Sequence, residues 1–534
     1  MKSDLIYNPE ATADICLLLE GTFPYVRGGV STWVKQIIEG MPHLTFSIIF
    51  LGAHDGDYEK PAYDIPDNVV HIELHYLLGD DENLVRKKRP FWKRASSKAE
   101  QFEKNSELHS MLANSDGPIS NDVAIAFSKL LVGPGAISKA ELQHSKSAWN
   151  TIKEKYDEAP DGLDFNHFFW TIRAMHGPLF TLANIAKDAP VASVYHSVST
   201  GYAGFLGSLL STQTGSPYII SEHGIYTKER ELDLAQVDWI PEELDPFKVG
   251  LNDNMNYLRS VWIRFFKSLG RMSYASSNHI YTLYNGNRLR QIADGAPENK
   301  LTVVPNGVNV ERFKKVRRAD DAPVPPVLAL IGRVVPIKDI KNFIRAMRVI
   351  RAKVPGAEGW LVGPQDEDPD YTRECKLLVE SLDLGNCVKF LGFQSPDDIF
   401  PRIGLSVLTS VSEGQPLVML EGYAAGIPAV STDVGSCSEL VYGVSEEDKA
   451  IGASGAVVPI ANPSEFAEAA IELLNNDANW RSARDAAIQR VEAYYDEKDM
   501  IQRYQEAYQS QLDLNPAISS SISPPISPSI YKAS

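Results

Sequence analysis

The chain has 534 residues, more than one hydrophobic core ordinarily supports, and 44% of them are hydrophobic. We therefore expect a folded protein of two domains with an appendage. Lys and Arg number 52 against 69 Asp and Glu, a formal net charge of -17. This overall field repels nucleic acid and anionic lipid, so no nucleic-acid partner is expected and phosphate must be captured by a local site.

The cysteines and the first residues indicate a protein of the reducing cytoplasm. Cys16, Cys375, Cys387 and Cys437 lack CxxC spacing, so neither a zinc site nor a disulfide framework is predicted. The first residues, MKSDLIYNPEATADI, lack a basic region followed by an apolar core, so no secretory signal is predicted. Residues 189–221 contain no Asp, Glu, Lys or Arg, but their Ser, Thr and Gly content favours two buried strands around a helix over a membrane span.

Short apolar strands alternate with amphipathic helical stretches along the chain, the pattern of parallel sheets with helices on both faces. The first half has a predicted helix at 31–39 and predicted strands at 15–19, 46–51, 191–195, 218–221, 279–282 and 301–304. The second half has predicted strands at 327–331, 358–362, 387–391, 405–409 and 429–432. Each half therefore reads as a doubly wound domain.

Composition divides the chain further. Residues 79–116 begin with a basic cluster, RKKRPFWKR at 86–94, and then turn polar, which favours a solvated insertion over an acceptor or partner surface. The Ser- and Pro-rich end is predicted to be disordered. The predicted organisation is an N-terminal domain over 1–313 with the polar insertion near 79–116, a linker at 314–326, a second domain over 327–490, a helix returning to the first domain at 491–513, and a disordered tail at 514–534.

The most informative stretch is SEGQPLVMLEGYAAGIPAVSTDVGSCSEL at 412–440. A helix is predicted to begin near Pro416, because Pro is favoured at the first helical position. Glu413 then lies in a loop at a strand's carboxyl end, and Glu421 lies one to two turns into the helix. A diphosphate can rest on the helix N-terminus while both carboxylates accept hydrogen bonds from ribose and hexose hydroxyls. The alternative is a capping Glu and an exposed helix Glu, since E-x7-E arises easily by chance.

The stretch GRVVPIKDIKNF follows the first strand of the second half. Arg333 and Lys338 stand at that strand's carboxyl end, where a guanidinium and an ammonium can hold phosphate oxygens. No D-x-D motif with supporting ligands is evident, so these cations could offset the leaving-group charge in place of a metal. Taken singly, each is more often a surface charge; together after one strand they favour a site.

The first half offers a glycine loop and two histidines. GTFPYVRGGVSTW, at 21–33, is not GxGxxG, but Gly28 and Gly29 would permit positive φ and close approach of a ligand; the alternative is a tight structural turn. His196 and His223 stand at the carboxyl ends of predicted strands, in VYHSVSTGYAG and SEHGIYTKER. His196 is expected to be structural, and His223 is the functional candidate.

At these residues the chain resembles glycosyltransferase family 4, whose members carry an E-x7-E motif, an Arg and Lys pair after a strand of the second domain, and a glycine loop in the first. PNGVNVERF, at 305–313, resembles that family's segment leading into the second domain. GTFPYVRGGVSTWV, YHSVSTGYAG and SEHGIYTKERE further resemble the PelF family of the Pel exopolysaccharide system. The resemblance implies an α/β, GT-B fold of two doubly wound Rossmann-like domains facing an interdomain cleft.

The resemblance also implies roles for single residues. Glu421 would hold the nucleotide ribose, and Glu413 would contact the donor sugar near the reacting carbon. Ser436 stands where many members have a second glycine. The residues that the resemblance places in catalysis are Glu413, His223, Arg333 and Lys338. Those it places around the nucleotide sugar are Gly28, Gly29, Arg333, Lys338, Glu413, Gly414, Leu417, Val418 and Glu421.

The activity implied is a retaining, metal-independent transfer of a hexose or hexosamine from a UDP-sugar to a growing polysaccharide, with no cofactor. The partners implied are membrane-embedded Pel synthase and export components, which would recruit a cytoplasmic protein to the inner membrane. Two other classes are open. One is a GT-B binding subunit that has lost catalysis. The other is a nucleotide-sugar epimerase or a sugar phosphorylase, although no pyridoxal-binding lysine context is recognisable.

Overall fold

The computed structural model describes residues 8, 11–58, 60–78, 98–113, 117–236 and 249–514. The described residues form two compact units. The first unit takes its residues from Met1–Thr282, Arg288–Thr302 and Tyr504–Ser534, and the second from Leu283–Asn287 and Val303–Arg503. The basic cluster at 86–94 and residues 515–534 of the predicted tail lie outside the described residues.

A seven-stranded sheet forms the centre of the first unit, in the order β3-β2-β1-β4-β5-β6-β7. Its strands are β1 (Ala13–Glu20), β2 (Phe46–Gly52), β3 (Val69–Tyr76), β4 (Ala192–Ser197), β5 (Tyr218–Glu222), β6 (His279–Thr282) and β7 (Leu301–Val303). Strands β1 to β6 pair in parallel. The apolar runs of β1 and β2 are buried, as expected of parallel strands covered on both faces.

Helices of the first unit cover the sheet and add a further layer. They are α1 (Gly29–Gly40), α2 (Ala99–Ala113), α3 (Asn121–Val132), α4 (Lys139–His144), α5 (Lys146–Asp157), α6 (Phe165–Asp188), α7 (Tyr202–Thr214), α8 (Tyr226–Gln236) and α9 (Val249–Ser276). The apolar helix α7 packs against α3, α6 and α9 as well as the sheet. The sequence prediction of two buried strands around a helix over 189–221 is thus confirmed by β4, α7 and β5.

The predicted solvated insertion near 79–116 differs from the structure where it is described. Helix α2 occupies much of its second half, and Phe102, Leu108 and Leu112 are buried in the core of the first unit. These apolar residues recur every four to six positions on a helix that is otherwise polar. The polar composition of α2 therefore predicts a solvent-exposed segment, although one row of its side chains packs into the core.

The second unit has a six-stranded parallel sheet in the order β10-β9-β8-β11-β12-β13. Its strands are β8 (Val327–Ile331), β9 (Glu358–Val362), β10 (Val388–Gly392), β11 (Leu405–Leu408), β12 (Ala429–Thr432) and β13 (Gly455–Val458). Strand order reverses between β8 and β11, so a crevice opens at the carboxyl ends of these two neighbours.

Helices flank this second sheet. Helix α10 (Asn285–Ala293) has residues in both units. The helices that follow are α11 (Val310–Lys314), α12 (Ile340–Lys353), α13 (Pro369–Ser381), α14 (Pro396–Ile399), α15 (Leu417–Ala424), α16 (Cys437–Tyr442), α17 (Glu446–Lys449), α18 (Pro463–Asn475) and α19 (Asp477–Tyr494). The last described helix, α20 (Glu497–Leu512), begins in the second unit and ends in the first.

The second unit begins earlier than the linker predicted at 314–326. The long segment of the second unit begins at Val303. Val308, Val310 and Phe313 belong to this unit because they are buried in its core. The linker residues themselves are anchored, since the Arg317 guanidinium donates to the carbonyl of Ala424 at 2.7 Å. Polarity and proline content predicted a linker here, and its arginines bind to carbonyl groups of the second unit.

The predicted α/β class is confirmed, and several strand bounds coincide with the structure. Strands β6, β8, β9 and β12 have the predicted ends, while β3 and β13 were not predicted. All four cysteines are buried free thiols. Among the described residues, no helix is both long enough and apolar enough to cross a bilayer.

Candidate functional site

The carboxyl edge of the second sheet brings together three loops from the sequence motifs. The loop after β8 carries Arg333 and Lys338, the loop after β11 carries Glu413, and the loop after β12 carries Gly435. Strands β8 and β11 are direct neighbours and β12 lies next to β11. Parallel strands end at one edge of a sheet, so these loops lie side by side at the crevice.

Lys338 and Glu413 form the centre of this cluster. The Lys338 ammonium contacts the Glu413 carboxylate at 2.5 Å, and the Ser410 hydroxyl donates to the same carboxylate oxygen at 2.6 Å. Thr409 fixes the lysine's backbone, because its hydroxyl donates to the carbonyl of Lys338 at 2.9 Å. Both charged side chains are partly buried, 20% and 15% exposed, so their attraction is screened less than that of a surface pair.

The loop after β12 closes over the Glu413 loop. The Ser436 amide donates to the carbonyl of Gly414 at 2.9 Å. Gly435 adopts φ 55°, and a Cβ atom there would lie 2.2 Å from that same carbonyl oxygen. Only glycine fits this position without displacing the Glu413 loop. Ser436, the departure from the family pattern, has an ordinary φ of -90° and needs no glycine.

Glu421 is the fifth residue of α15, as the sequence predicted for a helix beginning near Pro416. It is half-buried, and burial raises the pKa of its carboxyl to about 7 against the opposing charge of Arg312. The Arg312 guanidinium itself pairs with Asp397, with Nε to Oδ1 at 3.1 Å. The carboxyl of Glu421 therefore titrates near neutral pH, and the nearby Arg312 forms its ion pair with Asp397 instead.

The N-terminus of α15 offers backbone donors beside these carboxylates. No side chain caps this terminus in the described chain, and Pro416 precedes Leu417 and Val418. Their amide N–H groups belong to the first turn, which carries partial positive charge and can bind an anion. The turn is held in place because the Gln415 carboxamide oxygen accepts the Asn306 amide N–H at 2.6 Å.

Arg333 lies apart from the Lys338 and Glu413 pair. Its guanidinium contacts the carboxylate of Glu367, after β9, at 2.5 Å, and both side chains are more than two-fifths exposed. An exposed pair of this kind contributes little stability and exchanges readily. The structure therefore brings Lys338 to Glu413 and leaves Arg333 on the rim of the same sheet edge.

The carboxyl edge of the first sheet holds both histidines. His223, after β5, is buried, and its ring lies 4.6 Å from the Trp33 ring in an edge contact. Burial lowers the pKa of His223 to about 3, so its imidazole is neutral at physiological pH. A neutral ring both donates and accepts hydrogen bonds, which suits a sugar hydroxyl.

His196 occupies a structural position, as expected from the sequence. Its Nδ1 lies 2.7 Å from the Tyr508 hydroxyl and its Nε2 lies 2.8 Å from the Ser221 hydroxyl. Burial lowers the pKa of His196 to about 3. The Tyr504 hydroxyl lies 2.9 Å from the Ser221 hydroxyl. Hydrogen bonds of Tyr508 to His196 and of Tyr504 to Ser221 therefore anchor α20 to the first sheet.

Glu222 is a buried carboxylate that the sequence reasoning passed over as a neighbour of His223. One oxygen accepts the Thr200 hydroxyl at 2.7 Å, and the other accepts the Tyr274 hydroxyl at 2.6 Å and the Gln291 amide at 2.7 Å. Its burial raises the pKa of the carboxyl. An acidic residue ending an otherwise apolar strand was the available signal, because buried carboxylates need several donors.

The glycine loop of the first unit differs from the prediction. Gly28 has an extended backbone, φ 170°, and precedes α1 as its N-terminal flanking residue, while Gly29 begins the helix. Neither adopts the left-handed conformation proposed for them; Gly21 does, with φ 58°. Both predicted glycines are exposed, so backbone access rather than positive φ is what they supply.

No group of three or more His, Cys, Asp or Glu side chains in the described ranges is arranged to hold a metal ion. Four of the charged residues predicted for the site lie in the loops at this sheet edge or in α15: Lys338, Glu413, Glu421 and, at the rim, Arg333. This arrangement can receive a diphosphate at the cation and the helix terminus, and hydroxyl groups at the carboxylates.

Two family models match the chain. Residues 13–299, more than half of the chain, match a domain of unknown function, DUF3492. Residues 325–476 match the glycosyl transferases group 1. The second match contains Arg333, Lys338, Glu413 and Glu421.

Known proteins are similar to the chain over parts or most of its length. A D-inositol 3-phosphate glycosyltransferase of Nocardia farcinica is 28% identical over 204 residues, which cover 35% of this chain and 43% of that protein. A GDP-mannose-dependent mannosyltransferase of Corynebacterium glutamicum, acting on a monoacylated phosphatidylinositol monomannoside, is 26% identical over 342 residues, 62% of this chain and 79% of that protein. The chain spans less than half the length of the first curated relatives that it matches.

A solved structure shares the fold of the chain. HepE of Anabaena, solved in complex with UDP, superposes with a TM-score of 0.54 at 13% identity, covering 93% of this chain and 100% of that one. At this identity the likeness concerns the fold alone. Together with the two Rossmann-like sheets, it identifies the architecture as GT-B.

Proposed function

Since the chain belongs to the DUF3492 family and its second unit matches the glycosyl transferases group 1, we propose that it transfers a sugar from a nucleotide diphosphate sugar to an acceptor hydroxyl. The observation that carries the proposal is the Lys338 and Glu413 pair beside the uncapped N-terminus of α15. A cation, backbone donors and two carboxylates then surround one crevice. This combination suits a ligand with both phosphates and hydroxyls.

The donor would use these groups in distinct ways. Its diphosphate would lie against the first turn of α15 and Lys338, which would exchange part of its contact with Glu413 for phosphate oxygens. Glu421 would accept ribose hydroxyls, and Glu413 would accept a hydroxyl of the donor sugar. In the first unit, neutral His223 is the proposed contact to a sugar hydroxyl. Arg333 would leave its exposed pair with Glu367 to reach phosphate.

The proposed reaction is retaining and needs neither metal nor cofactor. The bond between the anomeric carbon and the β-phosphate oxygen breaks, and a bond from that carbon to the acceptor oxygen forms on the same face. The acceptor proton passes to the leaving phosphate, and the nucleoside diphosphate departs. Lys338 and the terminus of α15 would stabilise the charge that develops on this leaving group.

The proposed donor is a UDP-sugar carrying a hexose or hexosamine, and the proposed acceptor is a growing Pel-like exopolysaccharide. UDP is supported by the family resemblance of the sequence motifs and by the UDP bound to HepE, which shares the fold. The relative from Corynebacterium glutamicum is GDP-mannose-dependent, so the base must be measured. Membrane-embedded synthase and export partners rest on the resemblance of the motifs in the first unit.

Calorimetric titration of the purified chain tests the proposal. UDP, GDP, ADP and their glucose and N-acetylhexosamine conjugates would be titrated with EDTA and then with magnesium. We expect UDP to bind at least ten-fold more tightly than GDP or ADP without metal. Absence of nucleotide binding under both conditions would instead support a binding subunit without catalysis. Conversion of a UDP-sugar to another UDP-sugar without acceptor would support an epimerase.

A further inference from the structure

A cavity of about 410 Å³ lies in the helical layer of the first unit, away from the sheet edge. Helices α2, α5, α6 and α9 surround it, and none of its lining residues belongs to a strand or to the loop after a strand. Its size is within the range of about 300 to 1,000 Å³ typical of small-molecule sites. The cavity is therefore separate from the proposed transfer site.

The walls of the cavity are mainly apolar. Side chains that form them include Phe102, Phe127, Ile152, Phe168, Met175 and Phe265. Protein interiors are otherwise packed as densely as organic crystals, so an open apolar volume of this size leaves many dispersion contacts unmade. An apolar ligand would supply those contacts along the apolar part of the walls.

Two histidines supply polar groups inside the cavity. The rings of His109 and His176 lie 5.4 Å apart, and both line it. His176 Nδ1 donates to the carbonyl of Ile172 at 2.7 Å, which leaves its Nε2 as an acceptor. His109 has no hydrogen-bond partner in the described part of the chain. Burial lowers the pKa of both imidazoles, that of His109 to about 3, so the pair is neutral.

The charged groups lie where the cavity opens. The Lys155 ammonium contacts the carboxylate of Glu158 at 2.9 Å, and the exposed Arg264 guanidinium lies over the Tyr257 ring, 5.8 Å from its centroid. The Lys155 and Glu158 charges compensate one another, and the two histidines that line the interior are neutral. A neutral polar group that can donate a hydrogen bond to an imidazole fits the interior better than a carboxylate does.

From these contacts we propose that the cavity is a binding site for a lipid-like molecule, a single hydrocarbon chain bearing a neutral hydroxyl group. The chain would fill the apolar walls, and its oxygen would lie at His109 and His176. At about 30 Å³ for each non-hydrogen atom, the volume of a water molecule in the liquid, the cavity holds roughly a dozen such atoms. The site is independent of the proposed sugar transfer.

Fluorescence titration of the full chain with 1-aminoanthracene, a neutral aromatic amine, would test the site. We expect saturable binding with one probe per chain and displacement by 1-dodecanol. Hexan-1-ol should displace the probe at least ten-fold less well, because it fills about half the volume. Dodecanoate should also be at least ten-fold weaker than dodecanol. Equal displacement by all three, or no displacement by dodecanol, would overturn the proposal.

A matched pair of variants locates the site on α5. Thr151 lines the cavity, whereas its neighbour Asn150 is exposed and does not. Thr151→Phe should weaken the probe at least ten-fold, and Asn150→Phe should leave its affinity unchanged. Circular dichroism and the melting midpoint establish that each variant is folded. A folded Thr151→Phe variant that binds like wild type would contradict the assignment.

Two further variants keep the test decisive if Thr151→Phe does not fold. Ser106→Phe fills the cavity from α2 and should have the same effect on the probe. His109→Leu removes one imidazole but keeps the wall apolar. It should retain the probe while losing the preference for dodecanol over dodecane. A preserved preference would show that His109 does not bind the oxygen.

Discussion

Glu421 lies half-buried in α15, and burial raises the pKa of its carboxyl to about 7. Without nucleotide the group is therefore protonated below that pH and ionised above it. Only the carboxylate can accept two ribose hydroxyls at once. Nucleotide binding should accordingly favour the ionised form, so affinity should rise as the pH increases through 7 and fall as the pH decreases.

Glu421→Gln should weaken UDP binding about ten-fold at pH 8, the lower end of what a hydrogen bond to a charged group contributes. Its affinity should then vary little between pH 6 and pH 8, since the titrating group is gone. Calorimetry at three pH values measures both effects. Glu468→Gln, on an exposed position of α18, is the control. If the UDP affinity of Glu421→Gln varied with pH as that of the wild type does, the assignment of Glu421 to the ribose would be wrong.

Glu413 should affect catalysis more than nucleotide affinity. Its carboxylate contacts Lys338 and Ser410, and the proposed partner is a hydroxyl of the sugar rather than the nucleotide. Glu413→Ala should leave the UDP affinity within about three-fold of wild type and lower kcat at least 100-fold, in the range of a lost transition-state contact. Steady-state kinetics and UDP titration of the same sample check this. A loss of UDP affinity with unchanged kcat would reverse the two glutamate roles.

At the residue scale, the sequence motifs predicted which charged side chains would share a sheet edge but not which would touch. The Lys338 contact to Glu413 depends on the three-residue helical turn at Pro336–Lys338, which aims the lysine toward the neighbouring loop. Arg333 and Lys338 both follow β8, as the sequence predicted, and the Arg333 guanidinium contacts Glu367. Side-chain direction after a strand depends on the loop conformation, which spacing alone does not determine.

The loops around α15 hold their shape through one glycine. Gly435 has φ 55°, and an added Cβ would meet the Gly414 carbonyl at 2.2 Å. Gly435→Ala should therefore displace the Glu413 loop and weaken UDP binding at least ten-fold. Ser436→Ala, at an ordinary backbone position, is its matched control and should bind UDP like wild type. Calorimetry compares the two variants, and equal affinities would show that the close approach has no consequence for the site.

Helix α20 is attached to the first sheet through a short chain of hydroxyl and imidazole groups. Tyr508→Phe removes the partner of His196 Nδ1 in a fully buried position. Leaving that nitrogen unpaired should cost about 1 to 3 kcal/mol and lower the melting midpoint. Tyr494→Phe, on an exposed side chain of α19, is the control. Calorimetric melting measures the difference in midpoint between the two variants. Equal midpoints would show that the hydrogen bond from Tyr508 to His196 does not contribute to stability.

At the element scale, buried parallel strands were predictable and the helical layer was not. Strand β8 is a continuous apolar run, so its ends follow from composition. Helices α2 to α6 pack partly on one another, and their apolar positions are spread among charged ones.

At the scale of the whole molecule, composition predicted two α/β domains but not the path of the chain between them. The second unit takes in Leu283–Asn287 as well as Val303–Arg503. A boundary search for polar, proline-rich segments finds 314–326, whereas the chain enters the second unit before that segment. Contacts such as that of Arg317 with Ala424 are long-range, and composition carries no information about them.

The reactivity of the four buried cysteines can be used to follow the unfolding of the protein. Cys16 lies in the core of the first unit, and Cys375, Cys387 and Cys437 lie in the second. Burial raises the pKa of both Cys16 and Cys437 to about 12, so almost no thiolate is present at pH 8 in the folded state. Alkylation by iodoacetamide should consequently require opening of the unit that contains each thiol.

Peptide mapping after timed alkylation in urea would separate the two units on one chain. If the units open independently, Cys16 should be labelled at a different urea concentration from Cys375 and Cys437, which should be labelled together. Simultaneous labelling of all three would mean a single cooperative transition. The alkylation of the free thiols thus reports the opening of each unit separately.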